Sequence, residues 1–320
     1  MMNIQFRPAE PDQDFATLAE WFNVTEGSPN SNTKDSLVKY YNDSRDRTVQ
    51  AVAEDEHGVL LGFYWGRYEP SNPQRAYFDL LVAPQYRGRG IGRHLYKTML
   101  DDLSKFKIQA LRVRVLDSSP VGLTFIRKLG YSLVNQSIAM SLDLDTFDFS
   151  QYDPLIVRLE AEGYKFTSMA ELGDTEEARR KEFYLNNIST IETPGSDGEP
   201  GWLSFEEFNQ GVCSSSWYLP EGQMIVVDTH NGEFVAMSAI TRFEGSSSAY
   251  NLHTGVLKAY RGRKLAQAVK VTALRFARDV LQVQRVDTHH NFQNDPMIAI
   301  DKKFGYKQTQ AVFTFEKRLC

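Results

Sequence analysis

Cysteine is scarce: only Cys213 and Cys320 occur in 320 residues, far apart in the chain. That excludes a disulfide framework and fits a reducing compartment. No apolar run approaches the ~20 residues of a membrane span. The opening Met-Met-Asn-Ile-Gln-Phe-Arg-Pro lacks the basic and apolar regions of a signal peptide, so a cytoplasmic protein with no membrane partner is expected. An excess of basic charge is also missing. Against 36 Lys and Arg stand 41 Asp and Glu, a formal net charge of -5, which argues against a nucleic-acid partner. No Gly-Lys-Ser/Thr follows a glycine-rich turn, which removes a Walker loop. No Ser/His/Asp or Cys/His arrangement points to a covalent intermediate. His289 and His290 are adjacent, so their side chains diverge, and no third ligand is suitably spaced; no metal is expected. No oligomeric state follows from the sequence.

What is present is one loop, written twice. Val82-Ala83-Pro84-Gln85-Tyr86-Arg87-Gly88-Arg89-Gly90-Ile91-Gly92 joins an apolar strand pattern to an amphipathic helix pattern. Glycines there let main-chain N–H groups approach an anion, and the helix that follows turns the positive end of its dipole toward it. Val256-Leu257-Lys258-Ala259-Tyr260-Arg261-Gly262-Arg263-Lys264-Leu265-Ala266 repeats the pattern. A dinucleotide fingerprint is a poor match, because the glycines follow a third strand, preceded by a hairpin, and not the first strand of a βαβ unit. A merely solvated turn is a fair reading of one copy and a weak one of two in matched contexts.

The surroundings repeat as well. Hairpin patterns occur at 50–65 around Asp55-Glu56-His57-Gly58 and at 224–240 around His230-Asn231-Gly232. A third strand, the basic loop and a helix follow in each half. The helix faces read Ile91, Leu95, Met99, Leu100, Leu103 and Leu265, Val269, Thr272, Phe276, Val280. Then come a strand (Leu111, Val113, Val115; less clearly Val283, Val286), a short helix stopped at Leu129-Gly130-Tyr131 and Phe304-Gly305-Tyr306, and a last strand closing each half at 132–144 and 308–319. Two domains are expected, 1–145 and 155–320, divided in the aperiodic stretch 145–154. The irregular stretch 193–201 reads either as a loop that closes over substrate or as an exposed linker. Trp202, Trp217 and Tyr218 flank it and belong either to an acceptor pocket or to the core.

These residues resemble the GNAT superfamily of acyl-CoA-dependent N-acyltransferases as a tandem duplication, over nearly the whole chain. The pattern Arg/Gln-x-x-Gly-x-Gly/Ala stands as Arg87-x-x-Gly90-x-Gly92. The resemblance implies an α+β fold of two tandem GNAT-like domains, each a mixed, mostly antiparallel sheet flanked by helices. It implies acetyl-CoA as co-substrate and a small-molecule or peptide amine as acceptor. The pyrophosphate would lie on Arg87, Gly88, Arg89, Gly90, Ile91 and Gly92, and in the second half on Arg261, Gly262, Arg263, Lys264, Leu265 and Ala266. The pantetheine arm would lie beside Leu81 and Val82, or beside Val256, where that strand splays from its neighbour. The family asparagine, eleven residues before the terminal glycine, is Asn294 in the second half and Ser119 in the first; the family tyrosine acid is replaced by Asp301 and Ile126. Lys264 stands where the first loop has Gly90, so the first loop is expected to be the better coenzyme site.

Acyl transfer to an amine needs a main-chain N–H for the oxyanion and a base for the ammonium proton. Asp79 and His253, three positions before Val82 and Val256, are the ionisable candidates on the strand bordering the reaction centre. The alternative, kept open by the missing tyrosines, is a non-catalytic acyl-CoA sensor or scaffold.

Overall fold

The computed structural model describes residues 4–26, 32–68, 72–196 and 201–319. Cys320, the opening residues 1–3 and positions 197–200 of the irregular stretch lie outside the described residues. The first series of elements is β1 (Gln5–Arg7), α1 (Pro11–Glu26), α2 (Lys34–Ser44), β2 (Thr48–Glu54), β3 (Leu60–Tyr68), β4 (Arg75–Val82), α3 (Ile91–Leu103), β5 (Ala110–Leu116), α4 (Pro120–Lys128) and β6 (Ser132–Asp143). The second is α5 (Asp153–Ala161), β7 (Tyr164–Ser168), α6 (Glu176–Ile191), α7 (Phe205–Phe208), β8 (Gln223–Asp228), β9 (Glu233–Thr241), β10 (Ala249–Val256), α8 (Leu265–Asp279), β11 (Arg285–Asn291), α9 (Asp295–Phe304) and β12 (Lys307–Arg318).

Local chemistry sets these boundaries. The β2–β3 turn is held by the Asp55 carboxylate, which accepts from the main-chain N–H of His57 and of Val59 at 2.9 Å each. Asp228 and Asn231 do the same between β8 and β9. Helix α3 buries Ile91, Leu95, Met99 and Leu103 on one face, as the periodicity requires. Helix α8 departs from its expected single stripe: Lys270, Val271, Ala273, Leu274 and Ala277 are buried besides Leu265, Val269 and Phe276. It packs against β8, β9 and β10 and also touches α5, which covers flanks that solvent would otherwise reach. Val280, expected on that stripe, follows the helix and is 63% exposed.

The chain forms two compact units, 1–136 with 312–320, and 137–311. Each is a mixed, mostly antiparallel sheet flanked by helices. In the first, the order is β1-β2-β3-β4-β5-β12, with β4 and β5 parallel and the other pairs antiparallel. In the second it is β7-β8-β9-β10-β11-β6, with β10 and β11 parallel. The parallel pairs follow from the crossover helices α3 and α8 that join those strands.

The last strands do not close their own halves as expected. Residues 137–143 of β6 pair with β11, and Met140 and Leu142 enter the core beneath α8. Residues 312–318 of β12 pair with β5, and Phe315 enters the core beneath α3. A single cut at 145–154 therefore does not coincide with the division into units. The alternating patterns of β6 and β12 suit either sheet, and only pairing with β11 or β5 distinguishes them.

Removal of residues 312–320 is expected to leave β5 as an open edge. Hydrogen exchange should then lose the protection of the β5 amides at 110–116 while those of β8 and β9 keep theirs. Unchanged protection of β5 in the shortened chain would contradict the pairing.

Candidate functional site

Each basic loop leaves five consecutive amides without a main-chain acceptor among the described residues: Gly88, Arg89, Gly90, Ile91 and Gly92 in one, Gly262, Arg263, Lys264, Leu265 and Ala266 in the other. Left-handed backbone at alternate positions turns these N–H groups to one side, with φ of 76° and 85° at Gly88 and Gly90 and 82° and 67° at Gly262 and Lys264. Lys264 thus adopts a conformation that costs a side-chain-bearing residue ~1 kcal/mol, and the loop keeps its shape. The two loops therefore share one backbone shape, and they differ at this position in the side chain that Lys264 carries. A Cβ at Gly90 would also meet no protein atom within 4 Å. The guanidinium groups brace the loops: Arg87 Nε donates to the Val82 carbonyl at 3.0 Å and Arg261 Nε to that of Val256 at 3.1 Å. Arg89 lies over the Tyr86 ring and Arg263 over the Tyr260 ring. Ile91 and Leu265 bury their side chains, as does Leu81, so among these only main-chain groups face an anion.

Beyond the loops, each unit has a fork. The parallel pairing of β4 with β5 stops after Tyr77 and Arg112, and that of β10 with β11 after Tyr250 and Asp287. Downstream, Val82 and Val256 lie on strands with no partner on that side among the described residues, as the expected splay requires. The forks differ in one respect. Strand β4 runs in unbroken register with β3 from Ala76 to Val82, whereas β10 carries a bulge against β9 between Asn251 and His253, with Leu252 as the extra residue. A bulged residue's main-chain groups leave the ladder. Asn251 repairs the gap: its Nδ2 donates to the Ala239 carbonyl at 2.8 Å and to Ser238 Oγ at 3.0 Å. Thr288 Oγ1 donates to the Asn251 carbonyl at 3.0 Å at the point where the strands part.

Two cavities meet at the bulge. One, of about 220 Å³, occupies the fork between Asn251–Thr254 of β10 and Thr288–Asn291 of β11, and Asn294 and residues 193–196 also line it. Asn294 occupies the start of α9; Ser119, half-buried, does so for α4. The other, of about 280 Å³, is lined by Glu182, Trp202, Phe208, Trp217 and Met237 among others. Leu252 and His253 belong to both walls. Thus Trp202 and Trp217 are cavity residues, and Asn291 Nδ2 donates to the Gly195 carbonyl at 3.0 Å, tying the start of the irregular stretch to β11.

His253 is brought to this junction. Ser189 Oγ donates to the Leu185 carbonyl at 2.7 Å, which leaves its oxygen to accept from His253 Nε2–H at 2.8 Å. That fixes the tautomer with Nδ1 as the basic nitrogen. Burial pushes the imidazole down to about 4, so it is neutral at physiological pH and a weak base. Gly255 permits the arrangement, since a Cβ there would stand 2.3 Å from Ser189 Oγ. Asp79 has another fate. Arg67 Nη1 donates to its Oδ2 at 2.6 Å, and Arg67 lies over the Tyr40 ring, so this carboxylate is half of an ion pair.

The residues in place of the family tyrosine are both buried. Ile126 belongs to the core beneath α3. Asp301 forms an ion pair with Lys270 and accepts from His290 Nε2 at 2.6 Å. Burial alone would raise the Asp301 carboxyl, but the Lys270 ammonium and the His290 hydrogen bond outweigh it and hold the group below the usual carboxylate range. Burial lowers Lys270, which its partner only partly offsets.

Sequence reading missed Glu182. Its two carboxylate oxygens are buried with no hydrogen-bond partner among the described residues. Burial, and secondarily the Asp174 charge, push this carboxyl up to about 8. The signal was present: Ala178, Glu182, Leu185 and Ser189 form the buried face of α6, with an acid where an apolar residue is the rule.

Residues 15–131 match the acetyltransferase (GNAT) family. The mycothiol acetyltransferase of Propionibacterium freudenreichii subsp. shermanii is 26% identical over 106 residues, 30% of this chain and 34% of that protein. The chain therefore matches about a third of that curated relative's length. Among solved structures, a GCN5-related N-acetyltransferase from Sphaerobacter thermophilus is similar with a TM-score of 0.71 at 15% identity, covering 98% of this chain and 95% of that one. A tandem GNAT protein from the clavulanic acid biosynthesis pathway gives 0.67 at 18% identity, covering 99% and 98%. The fold is shared at these identities: two GNAT-like halves in one chain.

The buried Lys270–Asp301 pair sets an expectation for stability. Lys270→Met strands a buried carboxylate and should cost about 3–5 kcal/mol in urea unfolding. Adding Asp301→Leu should recover part of it; a single variant within 1 kcal/mol of the parent would show that the pair carries no weight.

Proposed function

We propose that this chain, whose residues 15–131 match the GNAT family and whose whole length shares that fold, transfers an acyl group, acetyl in the simplest case, from coenzyme A to a primary amine, with the reaction centre in the second unit. The observation that carries this reading is the junction of two cavities at a strand bulge. One cavity lies in a fork of the kind that takes a pantetheine arm as an added strand, and the other has room for an acceptor.

The roles follow from the residues. The free amides of 262–266 at the start of α8 suit the coenzyme pyrophosphate, and Asn294 offers its amide to the pantetheine. An acyl thioester bound there supplies an electrophilic carbonyl carbon and a thiolate leaving group. The Leu252 main chain, released from the ladder by the bulge, supplies a donor for the developing oxyanion, a contribution generally worth ~10²–10³ in rate. His253 Nδ1 is free to accept a proton, though a base of its strength holds one weakly. The first unit has the loop and the fork but a β4 in unbroken register with β3, and Asp79 is engaged by Arg67. These features support coenzyme binding without turnover there.

A matched pair of variants tests the assignment, because Gly88 and Gly262 share one backbone conformation and so suffer the same strain. Each is changed to Asp, which sets a negative charge on its loop. With acetyl-CoA and a panel of amines, thiol release should fall at least tenfold in Gly262→Asp and stay within a few-fold of the parent in Gly88→Asp. The reverse pattern would move the reaction centre to the first unit, and absence of thiol release by the parent with every amine would reject acyl transfer to amines.

A further inference from the structure

Glu182 has no evident structural use. An ionisable group that is 1% exposed normally has a partner, and this one has none for either oxygen among the described residues. The charged and titratable groups facing it are occupied elsewhere. Arg179, one turn earlier on α6, donates through Nε to Asp174 Oδ1 at 2.9 Å and through Nη1 to Asn209 Oδ1 at 3.1 Å. The Tyr218 hydroxyl donates to Asp174 at 3.0 Å. Cys213 is a buried thiol whose own ionisation burial opposes, up to about 11. His253, on the shared wall of the two cavities, is neutral. Among the described residues no cation pairs with this carboxylate; the Arg179 charge and the nearby Tyr218 hydroxyl act on it only weakly against burial, and the cavity beside it is walled by the rings of Trp202, Phe208 and Trp217.

We propose that Glu182 is the seat of the acceptor's ammonium group, and that the acceptor is a compact primary amine with an apolar or aromatic body and no anionic substituent. This rests on the acyl-transfer reading of the second unit. A buried carboxylate beside aromatic faces selects a cation twice, by charge and by attraction of the ammonium to the rings. The rings then cover an apolar body, and a carboxylate or phosphate on the acceptor is excluded by repulsion from Glu182 and by desolvation. The cavity volume of about 280 Å³ limits the body to a small aromatic or short aliphatic group. Glu182 also takes the proton that the ammonium gives up before its nitrogen attacks the acyl carbon. As the N–C bond forms the C–S bonding pair leaves with sulfur; the second proton, which nitrogen sheds on becoming an amide, passes through water to the thiolate, and Glu182 returns the first to solvent.

Binding can be read without turnover. Calorimetry on the full chain uses phenethylamine and tryptamine as probes, 2-phenylethanol as the uncharged counterpart and phenylalanine as the anionic one. Both amines should bind, and the other two at least tenfold more weakly. Because the carboxyl titrates near 8, ammonium binding must first remove its proton. Amine affinity should therefore rise close to tenfold per pH unit from about 6 to 8 and level off above, until the amine itself loses its charge. Glu182→Gln should lower affinity at least tenfold at pH 8 and abolish the slope. This variant removes a charge whose burial is unfavourable, so its melting temperature should match or exceed the parent's at that pH. Failure of the parent to bind either amine, equal binding of phenylethanol, or an unchanged pH slope in Glu182→Gln would overturn the proposal. Glu182-dependent binding without thiol release would leave this inference standing and reject the acyl-transfer reading. Thiol release with amine affinity indifferent to Glu182 would do the opposite.

Discussion

The chemistry proposed for the second unit hangs on how early β10 and β11 part. Two paired residues, then separation, leave one side of β10 without a neighbour. Only a strand with such a free side can offer main-chain groups to a ligand, and only a gap of this kind can house an extended arm. The bulge at Leu252 exploits the freedom, because a residue can leave the β9 ladder where nothing on the other side holds it in register. The cost is met by side chains: Asn251 satisfies the Ala239 carbonyl, and Thr288 satisfies that of Asn251. Where β4 parts from β5 there is no such set, and the strand stays regular.

Two buried acids show opposite uses of charge in one unit. Asp301 sits between Lys270 and His290, its charge compensated within the core. Glu182 faces a cavity and has no ion-pair or hydrogen-bond partner of its own among the described residues. Interiors tolerate ions only when they are paired or hydrogen-bonded. A compensated acid therefore reads as architecture, and an uncompensated one beside empty volume reads as a place for something that comes and goes.

The repeat, the strand–loop–helix order and both basic glycine-containing loops were legible in the sequence, because each rests on short-range chemistry: glycines where φ is positive, apolar spacing, carboxylates that hold turns. Register was not. Whether β6 joins β11 or β5 depends on contacts between residues far apart, and its alternation suits either neighbour. The bulge left only the faint sign of Asn251 and Gly255 in an otherwise ordinary strand. The backbone at Lys264 was not legible either: it adopts nearly the conformation of Gly90, so the two loops share one main-chain shape and differ in the side chain Lys264 carries. In the sequence Glu182 lies in a charged helical stretch of the kind that usually faces water, and its position on the buried face of α6 becomes plain only when that face is known.

The crossed last strands also bear on the order in which the protein is made. Residues 312–318 complete the sheet of the unit whose other strands all precede residue 117. During synthesis that sheet waits, with the β5 edge exposed, while almost two hundred further residues are added. The second unit already holds its own last strand, β6, before its other strands emerge. The half translated first is thus the half finished last, and chaperone protection of the nascent chain would be needed most by the N-terminal sheet.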